Sequence, residues 1–139
     1  MFFEIVHRQP SVAEFRSITT AVGFKPHPDE AIALGLANSF CGVCALVSKE
    51  VIGVGRIVGD GALHFYITGI MVVPAYQRRG VGTRIVEALL DHAKQVPYAN
   101  ALIEALPLPG LEPFYSRFGF RACRQYSPGM HLWLNATVA

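Results

Sequence analysis

Between Ile67 and Lys94 an apolar run meets an amphipathic pattern through one glycine-bearing turn, a junction that few folds accommodate. Ile67 to Val73 has the composition of a buried strand. Val81, Ile85, Leu89 and Ala93 recur at helical spacing, which predicts a helix over roughly Gly80 to Gln95, ending before Pro97. Between them lies Gln77-Arg78-Arg79-Gly80-Val81-Gly82. A helix start aims unpaired N–H groups and the positive end of the helix dipole at one point. Such a point favours a phosphate, and two arginines add charge. The segment is not a Walker loop, which requires G-x-x-x-x-G-K-S/T. Nor is it a dinucleotide fingerprint, because it has a single G-x-G with no third glycine in register.

The elements around this junction follow from local signals. Phe2 to His7 is a short strand candidate. Ser11-Val12-Ala13-Glu14 is a capping box that opens a helix ending near Gly23. A second helix is expected from about Pro28 to Ala37, with Asp29 and Glu30 suited to its first turn. Three strands then meander: Phe40 to Ser48 and Val51 to Val58, joined at Lys49-Glu50, and Ala62 to Val73 after the turn Gly59-Asp60-Gly61. Gly69, inside the third strand, suggests a bulge or a close backbone approach. Ala99 to Ala105, an apolar run after a helix, suits a parallel strand. Glu112 to Phe118 is a short helix ending at Gly119, and Phe120 to Gln125 and Met130 to Leu134 are further strand candidates. The order β, α, α, β, β, β, α, β, α, β, β is a mixed α/β arrangement around one sheet, not an alternating doubly wound fold.

Composition narrows the function. With 139 residues, 52% apolar and 16% charged, the chain is expected to form one folded domain over residues 1–139. A formal net charge of +2, with basic residues scattered apart from Arg78-Arg79 and Arg121 with Arg124, does not suggest nucleic acid. No apolar run approaches the roughly 20 residues that span a bilayer. The N-terminus carries Glu4 and no basic region of the signal-peptide kind, so a cytoplasmic location is expected, with no membrane partner. Cys41-Gly42-Val43-Cys44 has redox or zinc spacing, but it falls in a strand, where residues three apart point to opposite faces. A redox pair needs a helix start after it, and a structural zinc needs four ligands. Buried, inert thiols and no metal are expected.

The segment around Arg78 also matches Q/R-x-x-G-x-G/A, preceded by an apolar strand and Pro74. In this it resembles the GNAT family of N-acetyltransferases. A second match lies downstream: Phe114-Tyr115-Ser116-Arg117-Phe118-Gly119-Phe120 is similar to the family's F/L-Y-x-x-x-G-F segment. The resemblance is strong over Phe40 to Phe120 and rests on element order at the two ends. It implies a central mixed sheet of six to seven strands flanked by about four helices. It also implies acetyl-CoA as co-substrate, with no metal. Arg78, Arg79, Gly80, Val81, Gly82 and Thr83 match the pyrophosphate loop. Ile70, Met71 and Val72 match the splayed strand end that pairs with the pantetheine arm. Tyr115 matches the general acid for the departing thiolate, while Phe114, Phe118 and Phe120 read as core. The asparagine that many members carry seven residues before that tyrosine is here Leu108, which puts that contact in doubt.

The implied reaction is direct attack of a primary amine on acetyl-CoA in a ternary complex, and it needs a base. The resemblance places bases on the strand before the loop or on the one after the main helix, which selects Tyr66 and Glu104. Glu104, in an otherwise apolar strand, is either such a base or a salt-bridge partner of a residue such as Arg121. His64 reads as a satisfied strand histidine. The acceptor is expected to be a small amine or amino-acid-like molecule, and a homodimer is compatible with the family. Two alternatives stand beside it: a non-catalytic acyl-CoA-binding or regulatory module on the same fold, and an enzyme acting on protein N-termini or lysines. A longer acyl chain is a further option.

Overall fold

A computed structural model describes residues 2–122 and 130–134. The chain divides into two compact units, Met1–Ala105 and Leu106–Ala139. The first holds a five-stranded sheet and three α-helices. Its elements are β1 (Glu4–Val6), α1 (Val12–Val22), α2 (Asp29–Ala37), β2 (Cys41–Val47), β3 (Glu50–Gly59), β4 (His64–Val72), a 3-10 turn at Pro74–Tyr76, α3 (Val81–Ala93) and β5 (Leu102–Glu104). The second contains α4 (Glu112–Ser116). No helix among the described residues is long and apolar enough to cross a membrane.

Local chemistry sets the helix ends as the sequence predicts. The Ser11 hydroxyl accepts from the Glu14 N–H at 3.1 Å, and the Glu14 carboxylate accepts from the Ser11 N–H at 2.8 Å. This is a complete capping box. The same carboxylate bonds Arg8 at 2.9 Å, and together these bonds hold Glu14 below the usual carboxylate range, the Arg8 bond contributing most. Gly23, left-handed at φ 82°, closes α1.

The strands lie in chain order, β1-β2-β3-β4-β5. The first three pairings are antiparallel and β4–β5 is parallel, as expected for a strand reached through a crossover helix. The β2–β3 hairpin turns at Ser48-Lys49, one residue before the expected Lys49-Glu50, because Val47 pairs with Glu50. Both turn residues have positive φ, 48° and 70°, which gives the twist a two-residue hairpin needs without a glycine. β5 is shorter than the expected Ala99 to Ala105, since Asn100 turns at φ 66° just before it. The sheet has five strands among the described residues, fewer than six to seven. Residues 120–122 and 130–134 are in no strand, and the rest of the expected Phe120 to Gln125 strand lies outside the described residues. An apolar run states that a segment can pair, not that an edge is offered to it.

The two faces of the sheet have different roles. α3 buries Val81, Ile85, Val86, Leu89 and Leu90, a wider stripe than the four residues expected. It packs close because β3 has glycines beneath it: a Cβ on Gly55 would lie 2.7 Å from Ile85 Cγ2 and 2.6 Å from Ile70 Cδ1. The other face carries α1, whose Ile18 joins Cys44, Leu46, Val51, Val54 and Met71 in one cluster.

Candidate functional site

The junction that opens the sequence is one continuous structural unit. β4 ends at Val72, the Pro74–Tyr76 turn follows, and α3 begins at Val81. The first bond of the helix runs from the Arg84 N–H to the Gly80 carbonyl at 3.1 Å, so the N–H groups at Gly80, Val81 and Gly82 are directed outward from the helix end. Gly80 is the N-cap at φ 86°, ψ 3°, and Arg78 is also left-handed at φ 62°. Two positive-φ residues, Arg78 and Gly80, thus flank Arg79 in the turn that leads into the helix. Arg78, Arg79 and Gly80 are exposed, Gly82 and Thr83 half-buried, and Val81 anchors the helix in the core at 1% exposure. An added Cβ on Gly80 would meet nothing within 4 Å, so the glycine serves conformation and open space, not packing. Gln77, which the sequence reading uses only as a motif position, ties the loop to the strand: its Nε2 donates to the Val72 carbonyl at 2.9 Å.

Upstream, β4 changes character at Gly69. Val54 pairs with Met71 and Arg56 with Thr68, so Gly69 and Ile70 together oppose the single residue Gly55. Gly69 lies at φ 64°, and the bulge anticipated from this glycine is present. On the opposite edge β5 pairs only with His64, Phe65 and Tyr66. From Ile67 to Val72 no strand among the described residues covers that edge. Ile70, Met71 and Val72 occupy this stretch. Ile70 turns toward α3, Met71 is buried at 5%, and Val72 is half-buried.

The register brings the two candidate bases together, which the sequence alone could not do. Tyr66 is opposite Glu104, and paired residues share a face of the sheet. Tyr66 is half-buried. Glu104 is exposed, although its apolar neighbours suggest an interior strand, because β5 is the outer strand of the sheet. His64 is exposed at the start of β4.

On the same face stands a residue the sequence reading passes over. Arg56, half-buried on β3, donates through Nη1 to the Gly35 carbonyl at 3.2 Å and to Ser39 Oγ at 3.1 Å. Desolvation lowers its guanidinium below the ordinary arginine value. Its one signal in the sequence is a lone charge within the apolar stretch Val51 to Val58.

Within the second unit, Tyr115 is half-buried on α4, edge-on to Phe114 at 5.1 Å and to Phe120 at 5.8 Å. Phe114, Phe118 and Phe120 are likewise half-buried, less enclosed than core positions. Gly119 at φ 95° follows the helix as expected, and Leu108 is exposed. Cys41 and Cys44 are free thiols, and burial pushes both up to about 11. No group of three or more potential metal ligands occurs among the described residues.

Comparison with known proteins agrees with this geometry. The acetyltransferase (GNAT) family profile matches residues 10–120, and the chain belongs to that family. It is 27% identical over 136 residues to the histone acetyltransferase TAP1 of Glycine max, covering 89% of this chain and 58% of that protein. It therefore spans about three fifths of that relative's length. Among solved structures, SA2161 of Staphylococcus aureus superposes with a TM-score of 0.88 at 26% identity, covering 96% of this chain and 100% of that one. AAC(6')-Iy, solved with the bisubstrate analogue CoA-S-monomethyl-acetylneamine, shares the fold at a TM-score of 0.67 and 15% identity, covering 99% of this chain and 100% of that one.

Proposed function

We propose that the protein transfers the acetyl group of acetyl-CoA to a primary amine by direct attack in a ternary complex. One observation carries this reading: a loop with left-handed residues and free-facing N–H groups at the start of α3 follows a strand along whose outer edge, from Ile67 to Val72, no strand among the described residues pairs. The family match over residues 10–120 supports it, and supports one acetyltransferase domain over 1–139.

The residues present suit the donor. The N–H groups of Gly80, Val81 and Gly82, with Thr83 beside them, would hold the pyrophosphate, while Arg78 and Arg79 supply charge. The backbone at Ile70, Met71 and Val72 would take the pantetheine arm as an added strand is taken. When bound, acetyl-CoA supplies an activated thioester. Tyr66 and Glu104, paired across β4 and β5, would accept the proton that the ammonium must lose, directly or through water. A backbone N–H near Val72 would polarise the thioester carbonyl. The Tyr115 hydroxyl would give its proton to the departing sulfur.

Small or amino-acid-like amines are the preferred acceptors, since the fold is shared with an enzyme solved with an acetylneamine conjugate. The likeness to a histone acetyltransferase keeps protein amines as the second reading. The decisive experiment assays acetyl-CoA turnover across polyamines, amino acids, arylalkylamines and peptides, for the wild type and Tyr115→Phe. Loss of the phenol should lower kcat by about a hundredfold with acetyl-CoA affinity kept. Acetyl-CoA binding with no amine acetylated would favour a non-catalytic acyl-CoA module instead.

A further inference from the structure

The chain leaves the sheet after Val6, and a cavity opens at that corner. Val6 pairs with Cys44, so from Cys41 to Val43 strand β2 pairs with β3 alone among the described residues. The next residues, His7 to Gln9, pass beside Gly42, where an added Cβ would collide with the Gln9 side chain. The far wall is the end of α2, Leu36 and Ala37, followed by Phe40, and the last turn of α3 adds His92. Between these walls lies a cavity of about 340 Å³. Clefts of about 300–1,000 Å³ are the size that takes small molecules. Solvent reaches it, since His7 and Arg8 are exposed and Cys41 and His92 only half-buried.

The lining carries one sign of charge. His7, Arg8 and His92 belong to it, and no aspartate or glutamate does. Arg8 is paired at 2.9 Å with Glu14, outside the lining, so the two imidazoles are the basic groups that remain. Burial pushes the Cys41 thiol up to about 11, so it adds no negative charge at neutral pH. Asp91, next to His92 on α3, is exposed and lines no part of the cavity. His92 lies in the last turn of α3, where the helix dipole favours a positive imidazole. One wall is aromatic and fixed. Phe40 is edge-on to His92 at 5.4 Å and to Phe65 at 4.9 Å. Leu36 extends the apolar surface beside it.

We propose that this cavity is a binding site for a small aromatic carboxylate. The ring packs against Phe40 and Leu36, and the anionic group lies between the imidazoles of His7 and His92. Basic groups beside an apolar wall are complementary to an anion carried on a ring, whereas a cation would meet Arg8 and both histidines. By helical rise His92 lies about 16 Å along α3 from Val81, so this is a second site and not the loop proposed for the pyrophosphate. It goes beyond the acetyl-transfer reading and does not depend on it.

The test titrates benzoate into the full chain by calorimetry at pH 6 and pH 8, beside benzamide and inorganic phosphate. Histidine gains charge over that interval, so benzoate should bind about tenfold tighter at pH 6. Benzamide lacks the anion and phosphate lacks the ring, and each should bind about tenfold more weakly than benzoate at pH 6. In NMR spectra benzoate should shift the imidazole signals of His7 and His92 and leave those of His27, His64 and His131 in place. Saturating acetyl-CoA should not change the benzoate affinity. The double variant His7→Gln, His92→Gln should lose the pH dependence while keeping a cooperative thermal transition. No binding at pH 6, equal binding of benzamide or phosphate, or displacement by acetyl-CoA would overturn the proposal. So would undiminished affinity in the double variant. The ligand, pH and acetyl-CoA comparisons use the wild type alone, and they decide the matter even where the variant does not fold.

Discussion

Gly80 and Arg78 share an unusual backbone region for different reasons. At φ 86° Gly80 is relaxed, because glycine has no Cβ to clash, whereas Arg78 at φ 62° holds a conformation that L-residues enter at a cost. Gly80→Ala isolates that cost, since the new methyl would touch nothing within 4 Å. It should lower unfolding free energy by about 1 kcal/mol in denaturant titrations. It should also weaken acetyl-CoA binding by about tenfold in calorimetry as the N–H groups rotate away. An unchanged affinity would remove the loop from the donor site. The glycine was legible in the sequence, because a G-x-G ahead of a helical pattern has few other uses. The left-handed Arg78 was not, since side-chain chemistry says nothing of a backbone angle that neighbours enforce. Arg56 was illegible for a related reason: its bonds are to Gly35 and Ser39, which only the folded chain brings to it.

Among the elements, β3 and α3 determine each other. β3 carries Gly53 and Gly55 where α3 crosses, and the helix drops Ile85 and Leu89 onto them. Gly55→Ala would push a methyl to 2.6 Å from Ile70 Cδ1 and 2.7 Å from Ile85 Cγ2. Overpacking of this kind costs about 1–3 kcal/mol. The strain also reaches Ile70, next to the bulge, so Gly55→Ala should raise the KM for acetyl-CoA as well as lower the thermal midpoint. A stability loss without any change in KM would uncouple α3 packing from the strand end. Most elements could be anticipated because their signals are local: a capping box, an αL glycine, a proline, a hydrophobic stripe. The Ser48-Lys49 turn and the length of β5 escaped because pairing register, not residue preference, decides where a strand stops.

For the molecule as a whole, two thiols report on integrity. Burial raises Cys41 and Cys44 to about 11, against about 8.5 in an unfolded chain. The folded state therefore keeps protons that the unfolded chain releases, and by linkage its stability is complete below about pH 8.5 and declines as pH rises toward 11. Alkylation at pH 8 should be slow for Cys44, which is fully buried, and should accelerate only with global unfolding. Fast labelling of Cys44 in the native protein would contradict this packing. The C-x-x-C spacing thus marks where two strand positions happen to carry sulfur, a reading already available from strand periodicity.

The sheet order has a consequence for how the chain is made. Each strand lies beside the one synthesised before it, from β1 through β5. As the polypeptide emerges from the ribosome, every new strand finds its neighbour already present, and none must wait for a later segment to be slotted between earlier ones. The meander β2-β3-β4 can close first through short turns, with little loop entropy to overcome. The parallel β5 comes last, carried round by α3, so the end of that helix proposed to hold the pyrophosphate is set before the strand that would present Glu104 has joined.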